Sequence, residues 1–322
     1  MPATPELTLA EEERRRTKAG AAGIAAGVLT FLGALLAIQG NSGLPTLRLL
    51  DTLRSELGLD EGSGPGPIAR VALFLDDHIV TIVAARVITA IALGLIGVAI
   101  VYLFRSAKAR NPQLNKIALV ATITGAVLSV IAGVVAAVSL ATDVTAFADS
   151  ARQTEDAARD ALADSFTTGA VQLAGLGSAI LGLGIALTAL NAMRVGLLTR
   201  FMGVLGIIVG VLSFLPQLEG QLPFVKIFWL LGLGVLLMNR WPGGNPPAWT
   251  TGEAQAWPTQ QELREARMEA RGETPAKGAD DAPPAKERRP RRGRAEPPEI
   301  PAPEPPPAKP HSSSKKKKRK RR

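Results

Sequence analysis

Long apolar runs alternate with short polar segments over most of the chain, and a long polar segment ends it. Four of the runs reach the ~20 residues that a helix needs to cross the hydrocarbon core of a bilayer. They cover residues 20–39, 79–104, 117–140 and 169–190. Because only helices and closed barrels satisfy their backbone hydrogen bonds in hydrocarbon, the pattern predicts an all-α membrane protein.

Two shorter apolar runs, 201–215 and 222–238, follow the four long ones. A turn that begins at Pro216 separates them, which is typical of a helical hairpin of two short spans. A re-entrant pair is the less favoured alternative, because neither run has a proline or a polar break near its middle. The pattern therefore predicts a six-helix transmembrane bundle over residues 20–239.

Basic residues lie on one side of this predicted bundle. They precede the first span and occupy the second and fourth loops: Arg14, Arg15, Arg16, Lys18, Arg105, Lys108, Arg110, Lys116, Arg194 and Arg200. The longer first and third loops contain fewer basic residues, and the fifth contains none. Since Lys and Arg collect in cytoplasmic loops, both termini are predicted to be cytoplasmic.

The first apolar run follows a basic segment, as a signal peptide does. However, it is longer than the hydrophobic region of an ordinary signal peptide. Glu11, Glu12 and Glu13 also precede it. No small-residue cleavage site follows promptly. We therefore interpret residues 1–19 as a cytoplasmic segment and residues 20–39 as a retained span.

Small residues recur at every fourth position in several runs, which places them on one helix face and lets backbones approach closely. The stripes are Ala121, Gly125, Ser129, Gly133 and Ala137, then Ala174, Ser178, Gly182 and Ala186, with GxxxG pairs at Gly23 and Gly27 and at Gly206 and Gly210. They predict packing faces within a monomeric bundle, or between copies in a homo-oligomer.

The chain contains no cysteine and only two histidines. Disulfides and thiolate metal sites are therefore excluded, and a zinc site or a Ser-His-Asp triad is disfavoured. Asp76, Asp77 and His78 are adjacent, but neighbouring residues on a helix point apart, so a solvated helix start is favoured over a metal site. We predict no catalytic residue, no metal site and no cofactor.

Arg86 is the one ionisable residue well inside a predicted span, and such residues are functional candidates. It lies about 10 Å from the span's outer end at 1.5 Å per residue. The favoured interpretation is that its side chain reaches the outer surface and pairs with a loop carboxylate. The alternative is an anion-recognition group in a cavity, with Gln172 as a neighbour.

The outer loops and the first residues of the tail give three further predictions. Residues 45–57 have leucines at helical spacing and are predicted to form an amphipathic helix. The third loop, residues 141–168, is predicted to be mostly helical. Trp241 and Trp249 lie just after the last span and are interpreted as anchors at the headgroup level.

The basicity of the protein belongs to its tail, predicted to start at residue 240. From Arg240 onward there are 20 Lys+Arg and 11 Asp+Glu, a difference of +9 that equals the net charge of the whole chain. A capping box predicts a short helix at about 260–271, and residues 273–322 have too little apolar surface to fold. The tail ends in a basic cluster of Lys315, Lys316, Lys317, Lys318, Arg319, Lys320, Arg321 and Arg322.

Such a cluster favours polyanions, which here means anionic lipid headgroups or nucleic acid. The alternative is a solubilising tail with no dedicated partner.

Residues 191–258, which include NAMRVGLLTRF and NRWPGGNPPAW, resemble the C-terminal part of uncharacterised six-span membrane proteins of actinobacteria. The resemblance implies the same topology and a bacterial inner membrane, but no activity.

These features predict a non-enzymatic scaffold or interaction protein whose tail contacts polyanions. A small-solute or anion transporter or channel, working through the bundle interior near Arg86, is the alternative. The third class, an intramembrane enzyme, lacks any pairing of nucleophile and base and is the least favoured.

Overall fold

The computed structural model describes residues 5–48, 65–214, 223–242 and 244–255. Within these ranges the chain forms helices and no strand, which confirms the all-α class. The helices are α1 (Pro5–Gly40), α2 (Pro67–Asp77), α3 (Ile79–Arg110), α4 (Ile117–Ala148), α5 (Glu155–Leu162), α6 (Ser165–Arg194), α7 (Arg200–Leu212), α8 (Pro223–Leu237) and α9 (Ala248–Thr251).

Four helical segments are long and apolar enough to cross a membrane: Glu12–Gly40, Ile79–Arg110, Ile117–Ala148 and Glu155–Arg194. They contain the four long runs of the sequence, so the prediction of a helical membrane protein is confirmed at this level. The helices α7 and α8 are also apolar but are shorter. Many large apolar side chains on these helices are exposed, as expected for a surface that faces hydrocarbon.

The six apolar helices pack as a closed ring in the order α1, α3, α4, α6, α7 and α8, with α8 returning to α1. The helices α3 and α6 also touch each other across the ring. Neighbours run antiparallel: Gly20 lies against Met238 while Gly27 lies against Leu231, which fixes the direction of α8 relative to α1. The apolar helices therefore alternate in direction along the chain.

The tightest contact joins α4 and α6 through glycine. A Cβ placed on Gly125 would lie 2.6 Å from Leu181 Cα, and one on Gly177 would lie 2.6 Å from the Ser129 backbone nitrogen. The stripe predicted on α4 is thus a packing face within the chain at Gly125 and Ser129, and Ala137 is buried as well. Gly133 meets no atom within 4 Å of such a Cβ.

The predicted stripe on α6 is only partly a packing face against α4. Gly177, Leu181 and Gly184 meet α4, whereas Gly182 faces Gly210 of α7. Gly182 and Ala186 of the stripe pack against Gly210 of α7, and the contact with α4 uses the neighbouring face of α6. The homo-oligomer stays a prediction.

At the end of the ring where α1 finishes, α2 and α5 pack on the extension of α4. Ala69, Ala72, Phe147 and Ala158 form a small buried cluster there. The carboxylate of Glu155 accepts from the backbone N–H groups of Ile68 (3.1 Å) and Ala69 (3.3 Å), which begin α2. The prediction that the third loop is mostly helical is confirmed by the extension of α4 and by α5.

Several predictions fall outside the described residues. The chain divides into two units, Met1–Glu262 and Leu263–Arg322, and every described residue belongs to the first. The helix at about 260–271, the disorder over 273–322 and the basic cluster 315–322 lie beyond the described ranges. Most of the amphipathic helix predicted over 45–57 does so too, and its described residues 45–48 are not helical.

Candidate functional site

The candidate site lies at the end of the ring where α1 and α4 begin and where α3, α6 and α8 end. We call this the basic end, because Arg14, Arg15, Lys18 and Arg105 are exposed there. A buried polar cluster lies beneath these charges. It joins the start of α1 to the end of α3 and to the segment that follows α8.

Arg110 and Glu12 form the centre of this cluster, and each is only 8% exposed. Arg110 Nη2 donates to Glu12 Oε2 at 2.8 Å, and Nη1 donates to Oε1. The guanidinium also donates to the carbonyl oxygens of Ser106 (2.9 Å) and Ala248 (2.7 Å). A two-pronged contact of this kind uses the planar fork of arginine, which lysine cannot reproduce.

Trp249 lies beside this ion pair and is 4% exposed. Its indole N–H donates to the carbonyl oxygen of Leu197 at 2.8 Å, in the turn between α6 and α7. The guanidinium carbons of Arg16 and Arg110 lie 4.3 and 5.2 Å from the ring centroid, so two cations share one aromatic ring. The interpretation of Trp249 as a headgroup anchor is therefore wrong.

Arg16 and Tyr102 bind α1 to its neighbours at the same level. Arg16 donates to the carbonyl oxygen of Leu236 at 3.2 Å, near the end of α8. The Tyr102 hydroxyl donates to the backbone carbonyl of Glu12 at 3.1 Å. The part of α1 that precedes the apolar run, around Glu12 and Arg16, is thus fixed to both α3 and α8.

Residues 244–255 cross the basic end and are fixed there at two points. Ala248 and Trp249 bind the cluster described above. Further along, the Gln255 N–H donates to the carbonyl oxygen of Val195 at 3.2 Å. Gly196 has φ of 78°, and its missing Cβ leaves the space that the Gln255 carbonyl occupies. Gln255 is therefore held at a defined place at the basic end.

A groove opens on the side of the bundle at the basic end, between α1, α3 and α4. We call it the lateral groove, and its volume is about 1070 Å³. Basic residues of α1 and α3 line its outer part, and apolar residues of α3 and α4 line the rest. Tyr102 and Glu12, both members of the buried cluster, form part of its wall.

The sequence-predicted pair Arg86 and Gln172 is not joined by a hydrogen bond in the described ranges. Arg86 is half-buried on α3 and has no hydrogen-bond or ion-pair partner among the described residues. Gln172 is exposed near the start of α6. A functional role for either residue stays a prediction.

Metal-binding groups are absent from the described ranges, where no three His, Asp or Glu side chains lie close enough to hold an ion. The Nδ1 atom of His78 lies 3.0 Å from the carbonyl oxygen of Phe74, and the His78 ring stacks on Phe74. Asp76 accepts from the Thr145 hydroxyl at 2.9 Å. These contacts hold the junction of α2 and α3 in place.

The buried cluster was missed from the sequence. By its position Arg110 belongs to the cations of the second loop, and Glu12 is one of three consecutive glutamates before the first apolar run. The signal in the sequence is the Pro246-Pro247-Ala248-Trp249 segment, in which a proline pair directly precedes an indole shortly after the last apolar run.

These features define an all-α membrane protein whose helix ring is closed at one end by a buried ion pair and a tryptophan. No protein-family model, no curated protein and no solved structure matches the chain. The resemblance of residues 191–258 to actinobacterial proteins therefore stays an expectation.

Proposed function

We propose that the protein is a six-span, non-enzymatic scaffold of the bacterial inner membrane. In this proposal the bundle carries a basic tail that contacts a polyanion. The observation that carries the proposal is the attachment of residues 244–255 to the basic end through Arg110, Trp249 and Gln255. This attachment fixes the segment that leads into the tail at the end of the bundle where the exposed cations lie.

The direction of the helices supports six spans. The short helices α7 and α8 run antiparallel to their neighbours and complete the ring, although they are 13 and 15 residues long. At 1.5 Å per residue they measure about 20 and 22 Å, which snorkelling side chains and local thinning of the bilayer can accommodate. The basic end then faces the cytoplasm by the positive-inside rule, with both termini on that side.

Single cysteines test this topology, because the chain contains no cysteine of its own. Gln113→Cys lies in the exposed connection between α3 and α4, and Gln153→Cys lies in the exposed connection between α4 and α5. A membrane-impermeant maleimide added to intact cells should label Gln153→Cys only. After cell lysis it should label both. Labelling of Gln113→Cys in intact cells would overturn the proposed orientation.

The partner of the tail is proposed to be a polyanion. Its basic cluster provides eight positive charges at residues 315–322, each worth ~1 kcal/mol near an anionic membrane. Nucleic acid, through its phosphates, offers the same chemistry. The full-length protein in neutral-lipid nanodiscs should capture phosphatidylglycerol vesicles, or duplex DNA, at low salt and release them as salt rises.

The matched control replaces all eight basic residues of 315–322 with glutamine and leaves the bundle unchanged. This variant should capture much less of the vesicles or the DNA than the unmodified protein does. Absence of capture by the unmodified protein at low salt would overturn the proposal. Comparison of the two probes shows whether lipid or nucleic acid is the preferred partner.

Transport of a small solute or anion is the second candidate, favoured by the half-buried Arg86 without a partner in the described ranges. Liposome flux that survives glutamine replacement in the tail and is lost in Arg86→Ala would support it. Flux that is absent from the unmodified protein, or unchanged in Arg86→Ala, would remove it.

A further inference from the structure

The lateral groove has one charged end and one apolar end, which is the pattern of a phospholipid. Its charged end is formed by Arg14, Arg15 and Lys18 of α1 with Arg105 of α3. The lining includes one carboxylate, that of Glu12, and Arg110 already neutralises it. The charged end of the groove is therefore cationic, although Glu12 forms part of its wall.

The apolar end is lined by side chains that the protein itself leaves uncovered. Val98 on α3 is 55% exposed, and Ile123, Val127 and Ile131 on α4 are 45, 51 and 59% exposed. These residues belong to helices that are apolar enough to lie in a bilayer. This surface is thus suited to contact the hydrocarbon chain of a lipid.

The depth of the groove matches one leaflet. Its lining on α3 extends from Ala109 to Gly94, and the part from Arg105 to Gly94 measures about 16 Å along the helix at 1.5 Å per residue. Half of the ~30 Å hydrocarbon core is ~15 Å. An acyl chain that starts beside Arg105 would therefore run alongside the groove to about the middle of the membrane.

Glycine lets α3 and α4 pack closely beside the groove. Gly94 and Gly97 both line the groove, so α3 presents no side chain at these two positions. A Cβ on Gly97 would come within 2.7 Å of the Ala126 Cβ, so α4 lies close to α3 at this level. At these two positions, therefore, no side chain of α3 projects into the groove.

We propose that the lateral groove binds one anionic phospholipid from the leaflet at the basic end. The phosphate lies among Arg14, Arg15, Lys18 and Arg105, and an acyl chain lies along Val98. Like charge disfavours the protein's own basic cluster as the occupant, and a zwitterionic lipid lacks the net charge that four cations favour. This inference goes beyond the proposed function, because no residue of the groove belongs to the tail.

The test uses a bimane label on a single cysteine of the full-length protein, reconstituted in vesicles. Val98→Cys places the label in the groove. Ile208→Cys is the control, since it is 44% exposed on α7 and is not part of the groove lining. Brominated phosphatidylglycerol and brominated phosphatidylcholine, at equal mole fraction, then quench the label according to how often each lipid is adjacent.

The expected result is stronger quenching by phosphatidylglycerol at Val98→Cys and no preference at Ile208→Cys. Arg14→Gln with Arg15→Gln should lower that preference by about fivefold for each charge removed. Arg70→Gln, an exposed residue at the other end of the bundle, should leave it unchanged. Circular dichroism and size-exclusion chromatography establish that each variant is folded.

Three results would overturn the proposal. The first is equal preference at both labelled positions, which indicates general enrichment of anionic lipid at the basic end. The second is a preference that survives neutralisation of Arg14 and Arg15. The third is weak quenching by both lipids at Val98→Cys, which indicates that another copy of the chain covers the groove.

The tail variant separates this proposal from the proposed function. Replacement of the basic residues of 315–322 by glutamine should leave the preference at Val98→Cys unchanged, even where it abolishes capture of vesicles or DNA. Loss of the preference in that variant would assign anionic lipid binding to the tail and would overturn the groove as its site.

Discussion

Arg110 donates to both carboxylate oxygens of Glu12, although 98 positions separate the two residues in the chain. The same guanidinium donates to the carbonyl oxygens of Ser106 and Ala248. One side chain thus joins the beginning of α1, the end of α3 and the segment after α8. The first two predictions concern this junction.

Replacing Glu12 with Gln should lower the free energy of unfolding by about 3 kcal/mol, because it leaves the buried charge of Arg110 without a counter-ion. Denaturant titration in mixed micelles, followed by tryptophan fluorescence, measures the change. Glu13→Gln is the matched control, since Glu13 is exposed on the same helix turn. Its effect should stay within about 0.5 kcal/mol, and equal effects of the two variants would contradict the role of the ion pair.

Replacing Trp249 should release the segment that crosses the basic end. Trp249→Phe keeps an aromatic ring but leaves the carbonyl of Leu197 without its donor, at a cost of ~1–3 kcal/mol. Trp249→Ala also removes the ring that contacts Arg16 and Arg110, for a loss of ~3–5 kcal/mol.

Trypsin cleavage after the exposed Arg240 reports this release, because cleavage requires local opening of the chain. The rate should increase from the unmodified protein to Trp249→Phe and again to Trp249→Ala. The half-buried Trp241, changed to Ala, serves as the control and should have a smaller effect. Identical rates in all four proteins would contradict the attachment.

Replacing Gly125 with Ala should destabilise the bundle by ~1–3 kcal/mol through overpacking. The new Cβ would lie 2.6 Å from Leu181 Cα. A backbone atom cannot relieve this clash by a change of rotamer, as a side chain could. Gly133→Ala on the same helix meets no atom within 4 Å, so it should be neutral or stabilising by up to ~1 kcal/mol through helix propensity. Thermal unfolding followed by intrinsic fluorescence measures both, and a stabilising effect of Gly125→Ala would refute the close α4–α6 contact.

Replacing Glu155 with Gln should loosen the start of α2. The carboxylate accepts from the backbone N–H groups of Ile68 and Ala69, where the helix dipole favours a negative charge. Hydrogen exchange of these two amides should become roughly fivefold faster, which corresponds to ~1 kcal/mol. Asp156→Asn, at an exposed neighbouring position, should leave it unchanged. Unchanged exchange in Glu155→Gln would show that the carboxylate does not cap α2.

The four long helices could be predicted from the sequence, because the length of an apolar run is a local property. The contacts between them were harder to predict. On α6 the spacing of small residues predicts a packing face but not its partner: Gly182 and Ala186 meet α7, whereas the face against α4 contains Leu181 between Gly177 and Gly184. A large side chain fits this face because Gly125 opposes it, and that pairing depends on the register between two helices.

The polar cluster could not be predicted, because each of its members has an ordinary local role. A basic residue at the end of a span is expected to meet solvent, and Arg110 is buried only because Glu12 and Ala248 reach it. The partners lie 98 and 138 positions away in the chain. Trp249 is a similar case, since an indole just after a span usually lies among headgroups.

The contact of α1 with α8 also has a consequence for the order in which the protein assembles. Arg16 binds the carbonyl of Leu236, 220 positions further along the chain. At a synthesis rate of ~5–20 residues per second, about 10–40 s pass before that partner exists. During this interval the glycine face of α1 that packs against α8 has no partner, so the packing of α1 is completed only after α8 has been synthesised.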